Sequence, residues 1–225
     1  MKRIFVPTQA ASDWKRLLAK PDLHWKPGRS AMSAALSWEG AGDKLPPEIS
    51  ALLDASQEPP ISNLKLLAAI PEWEVPLPGG SRSSFTDVLA LTRNEQGLCV
   101  IGVEAKVNED FGPTLTEKGL EASPGQTQRL HYLNQLLGVP HFDGKVRYQL
   151  LHRTASALLT AKDFHADVAV MLIQSWGTNP ELRRDFERFC EALGAEELPG
   201  GLKVVRRFQR PRLYLGWCDG EVVGG

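Results

Sequence analysis

Two apolar segments joined by a short polar turn constrain the fold of this 225-residue chain more than any other feature. They cover about residues 84–92 and 98–107, and the turn sequence RNEQG lies between them. Apolar runs of this length on either side of a turn are typical of two paired antiparallel strands. The first run nevertheless contains Asp87, and the second contains Glu104 and Lys106. A buried charge is costly unless it is paired or bound, so these three side chains need partners.

Alternation along the strands predicts where these charges lie. Successive side chains of a strand point to opposite faces, so Glu104 and Lys106 share one face, about 7 Å apart at Cα. A short hairpin makes the two strands neighbours, and Asp87 then lies beside Glu104 if the register allows it. Mg²⁺ prefers oxygen ligands and would remove the repulsion between two such carboxylates. A lysine beside the ion can hold or deprotonate a metal-bound water and can stabilise charge on a phosphoryl group.

The other segments predict a mixed α/β sheet with helices on its faces. Three helices, in SDWKRLLA, RSAMSAALSWEGAG and PEISALLDA, precede a strand at about 64–76, and helices at about 125–137 and 145–162 follow the third strand. The apolar run ADVAVMLIQSW predicts a buried strand, and PELRRDFERFCEALG predicts an amphipathic helix. The segment KVVRRFQRPRLYLGWC predicts one last strand, in which Pro211 marks an edge or a bulge.

This order of elements predicts one domain over residues 1–225. We expect its core at about 30–175, an N-terminal helical segment at 1–29, and a C-terminal helix and strand at 180–225. A chain of this length with 42% hydrophobic residues can bury most of its apolar surface in a single core.

Composition and short motifs exclude several classes of protein. The net charge is −1, so binding to nucleic acid requires a local basic patch. Three isolated cysteines suit a reducing compartment, the N-terminal apolar stretch is too short for a signal peptide, and no run approaches the roughly 20 apolar residues of a membrane span. We therefore expect a cytoplasmic protein without membrane contact. The absence of a glycine-rich phosphate loop and of histidines at ligand spacing disfavours P-loop hydrolysis and a zinc site.

An acid on one strand followed by Glu-x-Lys on the next resembles the PD-(D/E)XK nuclease superfamily. The matching residues are Asp87 and Glu104-Ala105-Lys106, and the predicted order of elements resembles the restriction-endonuclease-like α-β-β-β-α-β core of that superfamily. The proline usually written before the first acid is Thr86 here, at a position that varies in such folds.

The resemblance implies hydrolysis of DNA phosphodiester bonds with Mg²⁺ or Mn²⁺ as the cofactor. It implies that Asp87 and Glu104 hold the metal, that the carbonyl of Ala105 is a further ligand, and that Lys106 positions or activates the attacking water. It also allows a homodimer, because cutting two strands needs two sites.

Many members of this superfamily supply a further acid from the first core helix. In SAMSAALSWEG, Met32, Ala35, Leu36 and Glu39 repeat at i, i+3, i+4 and i+7, so Glu39 lies on the inward stripe of its helix. We expect Glu39 to be the third acid and to bind the metal directly or through water. The alternative is an exposed helix end before Gly40.

The helix after the third strand often lends polar residues to such sites. In GQTQRLHYLNQLLG, Gln126 and Arg129 lie in the same arc as the leucine stripe, so we expect them to be auxiliary site residues. They could instead bond to backbone carbonyls. Another alignment matches Gln128 and Tyr132 to the Q-x-x-x-Y motif of the exonuclease branch, but their face lies off the leucine stripe.

The local basic patch that nucleic-acid binding would need is predicted in KVVRRFQRPR, where arginines flank Phe208. Guanidinium groups beside an aromatic ring suit phosphate contacts and base stacking. We expect nucleic-acid contacts from Arg206, Arg207 and Arg210, and a further phosphate contact near the metal from Arg82, just before the second strand. The alternative is a solvated strand face.

Other functions are compatible with the same residues. The fold could be a catalytically inactive nuclease-like scaffold that binds nucleic acid or protein, or an enzyme acting on RNA or a nucleotide. Glu104 and Lys106 could also form an ion pair on an edge strand, with Asp87 capping a turn.

Overall fold

The computed structural model describes residues 5–80, 82–119, 123–177 and 179–220. The strands are β1 (Lys65–Val75), β2 (Ser84–Asn94), β3 (Gly97–Lys106), β4 (Val168–Ser175), β5 (Glu196–Glu197), β6 (Lys203–Val205) and β7 (Arg212–Asp219). The α-helices are α1 (Pro21–His24), α2 (Ser30–Ala41), α3 (Pro47–Ala55), α4 (Leu115–Lys118), α5 (Pro124–Leu137), α6 (Tyr148–Asp163) and α7 (Pro180–Ala192). Two 3₁₀ helices occupy Ala11–Leu17 and Pro199–Gly201.

In the described part of the chain, these seven strands form one mixed sheet in the order β1-β2-β3-β4-β7-β6-β5. β1, β2 and β3 are an antiparallel meander, β3, β4 and β7 are parallel to one another, and β7, β6 and β5 are antiparallel. The predicted mixed α/β sheet flanked by helices is therefore confirmed. β1 runs through Pro71 because it is an edge strand, where a missing ladder donor is tolerated.

Helices cover both faces of the sheet. One buried cluster joins the sheet to α5, α6 and α7, and the other joins it to α2 and α3. Val100 of β3 belongs to the first cluster and Ile101 to the second, as strand alternation requires. Gly102 lies under α6, where an added Cβ would be 3.3 Å from that of Ala157. The absent side chain lets α6 approach the strand that carries Glu104.

The C-terminal strand differs from its prediction. KVVRRFQRPRLYLGWC forms two antiparallel strands, β6 and β7, rather than one. The basic run between them is a turn, since Arg207 leaves the sheet to bond with the ends of two helices, and Pro211 cannot donate to a ladder.

None of the helices among the described residues has the length and apolar character that a membrane span requires.

Candidate active site

Three carboxylates lie next to one another across β1, β2 and β3. The residue pairs on either side of Glu72 put it opposite Asp87 in the antiparallel register of β1 and β2. One residue beyond the last pair of β2 and β3, the same register puts Asp87 opposite Glu104. The predicted proximity of Asp87 and Glu104 is thus present, and Glu72 is an additional acid that sequence reasoning missed.

The backbone is irregular at this row of acids. Asp87 Oδ2 accepts a hydrogen bond from the backbone N–H of Ala105 at 2.7 Å, just beyond the last regular pair of the two strands. Glu72 has φ 51, in the left-handed region that non-glycine residues seldom adopt. Such a conformation costs about 1–3 kcal/mol and persists only where the surrounding structure imposes it. Both features are local departures from sheet geometry at the charged residues.

Glu104 and Lys106 form a buried ion pair, with only 2% and 5% of the two residues exposed. Lys106 Nζ lies 2.8 Å from Glu104 Oε1 and donates to Gln149 Oε1 at 3.0 Å. The ammonium also lies 5.2 Å from the centre of the Phe111 ring, close enough for a cation–π contact. The predicted shared face of Glu104 and Lys106 is therefore observed.

Helix α6 supplies two more side chains to this cluster. Gln149 Nε2 donates to Glu104 Oε1 at 2.7 Å, and Arg153 Nε donates to Glu104 Oε2. Gln149 and Arg153 are four residues apart, so they lie on the same side of the helix. Their stripe continues to Ala157, which packs over Gly102. That spacing, two polar residues followed by a small residue, was the sequence signal that could have identified them.

The charges of the cluster shift the pKa values of its acids in opposite directions. Burial raises the pKa of Asp87 to about 7, and the nearby charge of Glu104 adds to this shift. Burial raises the pKa of Glu72 to about 8, with Asp87 as the next cause. Burial also acts to raise the pKa of Glu104, but the charges of Arg153 and Lys106 outweigh it and hold that pKa low. Glu104 is thus ionised, while Asp87 and Glu72 lack a sufficient counter-charge.

Stability should depend on pH through Asp87 and Glu72. Their pKa values are higher in the folded protein than in the unfolded chain, so the folded state binds more protons and loses stability as pH rises from about 4 to about 8. The variant Asp87→Asn removes part of this penalty. In the absence of divalent ions, we expect it to have a higher thermal midpoint than wild type, by a margin that grows between about pH 5 and pH 8. A margin that stays constant over this range would contradict the assignment.

Glu39 of α2 lies among residues of the N-terminal segment. Its Oε1 accepts hydrogen bonds from Trp14 Nε1 at 2.7 Å and from the hydroxyl of Thr8. No contact described for Glu39 joins it to Asp87 or Glu104. The register of β1 brings Glu72 beside Asp87, and Glu39 lines the same cavity as Glu72. A metal contact by Glu39 stays a prediction.

Gln126 and Arg129 of α5 do not join the carboxylates in any described contact. Gln126 accepts a hydrogen bond from the hydroxyl of Ser123 at the start of its helix. Arg129 donates to three backbone carbonyls of the β1–β2 loop, at 2.9, 2.9 and 3.4 Å. For Arg129, the structure thus has the alternative arrangement, in which the side chain bonds to backbone carbonyls. Gln128 is exposed and Tyr132 packs against the core.

The arginines of the C-terminal turn bind other residues of the same chain. Arg206 pairs with Glu196 at 2.9 Å, and Arg210 pairs with Asp167 at 3.1 Å. Arg207 donates to carbonyls at the C-terminal ends of α5 and α7, at 2.7 and 2.6 Å. A cation there also balances the negative ends of both helix dipoles.

The position of this turn separates it from the acids. β7 begins at Arg212, which pairs with Val168 at the start of β4, whereas Lys106 pairs with Ser175 at the end of β4. The predicted basic patch thus lies at the end of the sheet opposite Lys106. A shared interface between this turn and the acid cluster is therefore not supported. Arg82, in contrast, is exposed, lies just before β2, and lines a cavity together with Ser84.

The donor atoms of the cluster suit a hard divalent ion. Three carboxylates supply oxygen ligands of the kind that Mg²⁺ prefers, and the resemblance adds the carbonyl of Ala105 to them. Among the described residues, however, no group of three or more His, Cys, Asp or Glu side chains is arranged to hold a metal. Both oxygens of Glu104 accept hydrogen bonds or ion pairs from Lys106, Gln149 and Arg153. Metal binding therefore requires that Arg153 release Glu104.

Comparison with known proteins gives one result. A family model described as "Domain of unknown function (DUF6946)" matches residues 7–222. Searches of the curated proteins and of the solved structures found no match to this chain.

Proposed function

Since this chain belongs to the DUF6946 family, a domain of unknown function, we propose from its own side chains that it is a metal-dependent nuclease hydrolysing phosphodiester bonds of DNA. The observation that carries the proposal is the meeting of Asp87, Glu104 and Lys106 beside the helix α6. The function would use Mg²⁺ or Mn²⁺, which the chemistry of the carboxylates favours over softer ions.

The order of elements supports the same proposal. Helix α2 precedes β1, β2 and β3, and α6 precedes β4, while the strands are adjacent in the order β1-β2-β3-β4. This arrangement is consistent with the α-β-β-β-α-β core that the sequence resembles. Asp87 and Glu104 lie on the two strands where that resemblance expects the acids.

Each residue of the cluster would have a separate role. Asp87 and Glu104 would hold the ion together with the carbonyl of Ala105, and Glu72 would add negative charge beside them. A divalent ion there supplies Lewis-acid activation of the phosphoryl group and a more acidic water. Lys106 would position the attacking water or take its proton. Arg153, once released from Glu104, would neutralise charge on the phosphate.

One observation favours a second candidate, a binding module without catalysis. Glu104 is already neutralised by Lys106 and Arg153, so the cluster can persist as a buried ion network without metal. Buried ion networks often have only a structural role. Such a protein would bind nucleic acid or another protein through the nuclease-like scaffold and would not cleave DNA.

Cleavage assays separate these two functions. Purified protein should cleave plasmid, linear duplex or single-stranded DNA with Mg²⁺ or Mn²⁺ and should be inactive with EDTA. The isosteric variant Asp87→Asn should lose at least about 100-fold in rate, since it removes a ligand charge. Asp22→Asn is the matched control because the Asp22 side chain is 99% exposed on α1. DNA binding without cleavage under all metal conditions would exclude the enzyme and favour the binding module.

A further inference from the structure

A cavity of about 410 Å³ is lined in part by Ser84, whose hydroxyl contacts Arg153 of the carboxylate cluster. It is bounded by the β1–β2 loop and by parts of α4, α5 and α6. Three cations line it, Arg82, Lys118 and Arg129, and none of the described residues that line it is an acid. In a chain with a net charge of −1, a cavity with this composition is a local concentration of positive charge. It favours an anionic ligand.

Two of these cations are available to a ligand. Within the described residues, neither Arg82 nor Lys118 forms an ion pair with a carboxylate, although the neighbouring Glu117 pairs with Arg147. The Lys118 ammonium lies 4.6 Å from the centre of the Tyr148 ring, at the cavity wall. Ser83 and Tyr148, whose side chains carry hydroxyl groups, belong to the same lining.

The floor of the cavity is held in place by close packing. Gly79 has φ 73, and an added Cβ would lie 2.4 Å from the carbonyl oxygen of Gly125 and 2.5 Å from the backbone nitrogen of Arg129. Only glycine fits there, because both the conformation and the space exclude a side chain. Arg129 further fixes the loop through its bonds to the carbonyls of Leu77 and Pro78. Residues 77–79 of this loop are therefore held in place.

The cavity is connected to the carboxylate cluster through Ser84. Ser84 lines the cavity, and its hydroxyl accepts a hydrogen bond from Arg153 Nη1 at 3.0 Å and lies 2.9 Å from His152 Nδ1. Arg153 in turn binds Glu104. Burial, followed by the charge of Arg153, holds the pKa of His152 well below its usual value, so the imidazole is neutral at pH 7. The positive charge of the cavity thus comes from its arginines and lysine.

We propose that this cavity binds a phosphate group of the nucleic-acid strand, next to the phosphodiester bond that the carboxylate cluster would cleave. The cations of the cavity are by themselves the reason to expect an anionic ligand. That this anion belongs to a nucleic-acid strand rests on the proposed nuclease function. The contact from Ser84 to Arg153 would place the bound phosphate next to the catalytic carboxylates.

The experiment measures binding without catalysis. Fluorescence anisotropy of a single-stranded oligonucleotide in EDTA is compared for wild type, Arg82→Glu, Lys118→Glu and the control Lys162→Glu, an exposed lysine on α6. We expect each of the two cavity variants to weaken binding at least about tenfold. The slope of log K against the logarithm of the salt concentration should fall by about 1, the value for the loss of one phosphate contact. Lys118→Arg should restore binding, and the Lys162→Glu control should bind like wild type.

The outcomes separate this inference from the proposed function. If the cavity variants bind like the Lys162→Glu control, the phosphate subsite is wrong, whether or not the protein cleaves DNA. If they lose binding while the wild type never cleaves, the subsite stands and the nuclease function is wrong. Competition by inorganic phosphate tests whether the ligand is a nucleic-acid strand or a free phosphate ion. If free phosphate binds more tightly than the oligonucleotide and depends on the same two cations, the assignment to a strand is overturned.

Discussion

Replacing Lys106 by methionine is expected to lower the rate of metal-dependent DNA cleavage by about 10²–10⁴-fold, the range typical of proton transfer by a positioned side chain. The ammonium lies 2.8 Å from Glu104, where it can act on a water held by the same carboxylate. Methionine keeps an unbranched chain over Phe111 and removes the ammonium group, together with its contacts to Glu104 and Gln149. The proposed ligands Asp87 and Glu104 are unchanged in this variant, so metal binding should persist. The measurement is a single-turnover rate, together with the Mg²⁺-induced shift in thermal midpoint.

Lys203 provides a matched control for this variant. It is also a buried lysine, only 8% exposed, and it pairs with Glu187 and Glu197 at 3.0 Å each. It lies on β6, away from the carboxylate cluster. Lys203→Met should lower stability and leave the cleavage rate per folded molecule unchanged. Equal rate losses in both variants would show that the effect of Lys106 is one of folding, and the proposed catalytic role would be wrong.

Replacing Arg153 by methionine is expected to destabilise the protein by about 3–5 kcal/mol, the usual cost of breaking a buried ion pair from one side. Arg153 is the largest favourable charge acting on Glu104, and it also lowers the pKa of Asp87 and of Glu72. Without it, three acids face Lys106 alone. Urea unfolding at pH 7 measures the loss. Saturating Mg²⁺ should recover part of the lost stability if the ion binds where the guanidinium was.

The control for Arg153 is an exposed ion pair of similar chemistry. Arg184 pairs with Glu181 on α7, and both side chains are mostly exposed. Exposed pairs contribute little, so Arg184→Met should change the unfolding midpoint only slightly. If Arg153→Met is as stable as Arg184→Met, the network around Glu104 contributes little to the fold, and the expected competition between Arg153 and a metal ion loses its basis.

Much of the fold could be predicted because it follows from local patterns. The strands β1, β2 and β3 and the helices α5 and α6 lie close to their predicted limits, since apolar periodicity and turn residues act over a few positions. The last strand was the exception. Its apolar and basic residues suited one strand, but Arg207 finds acceptors at the ends of α5 and α7, which are distant in sequence.

In the candidate site, too, some contacts could be predicted from local patterns and others could not. The shared face of Glu104 and Lys106 needs only the two-residue period of a strand, and the hairpin turn makes β2 and β3 neighbours. The partners of Glu104 could not be predicted, because Gln149 and Arg153 reach it through the crossing of α6 over Gly102.

The sequence by itself determined the mixed sheet, the alternation of its faces and the position of the acids on β2 and β3, because these depend on bonds and periods within short segments. Only the tertiary structure decided that Glu72 joins Asp87 and that Arg153 neutralises Glu104. It also decided that the C-terminal arginines face internal partners. Each of these contacts joins residues remote in the chain. Their pairing depends on the lateral register of strands and the packing of helices, which no local pattern specifies.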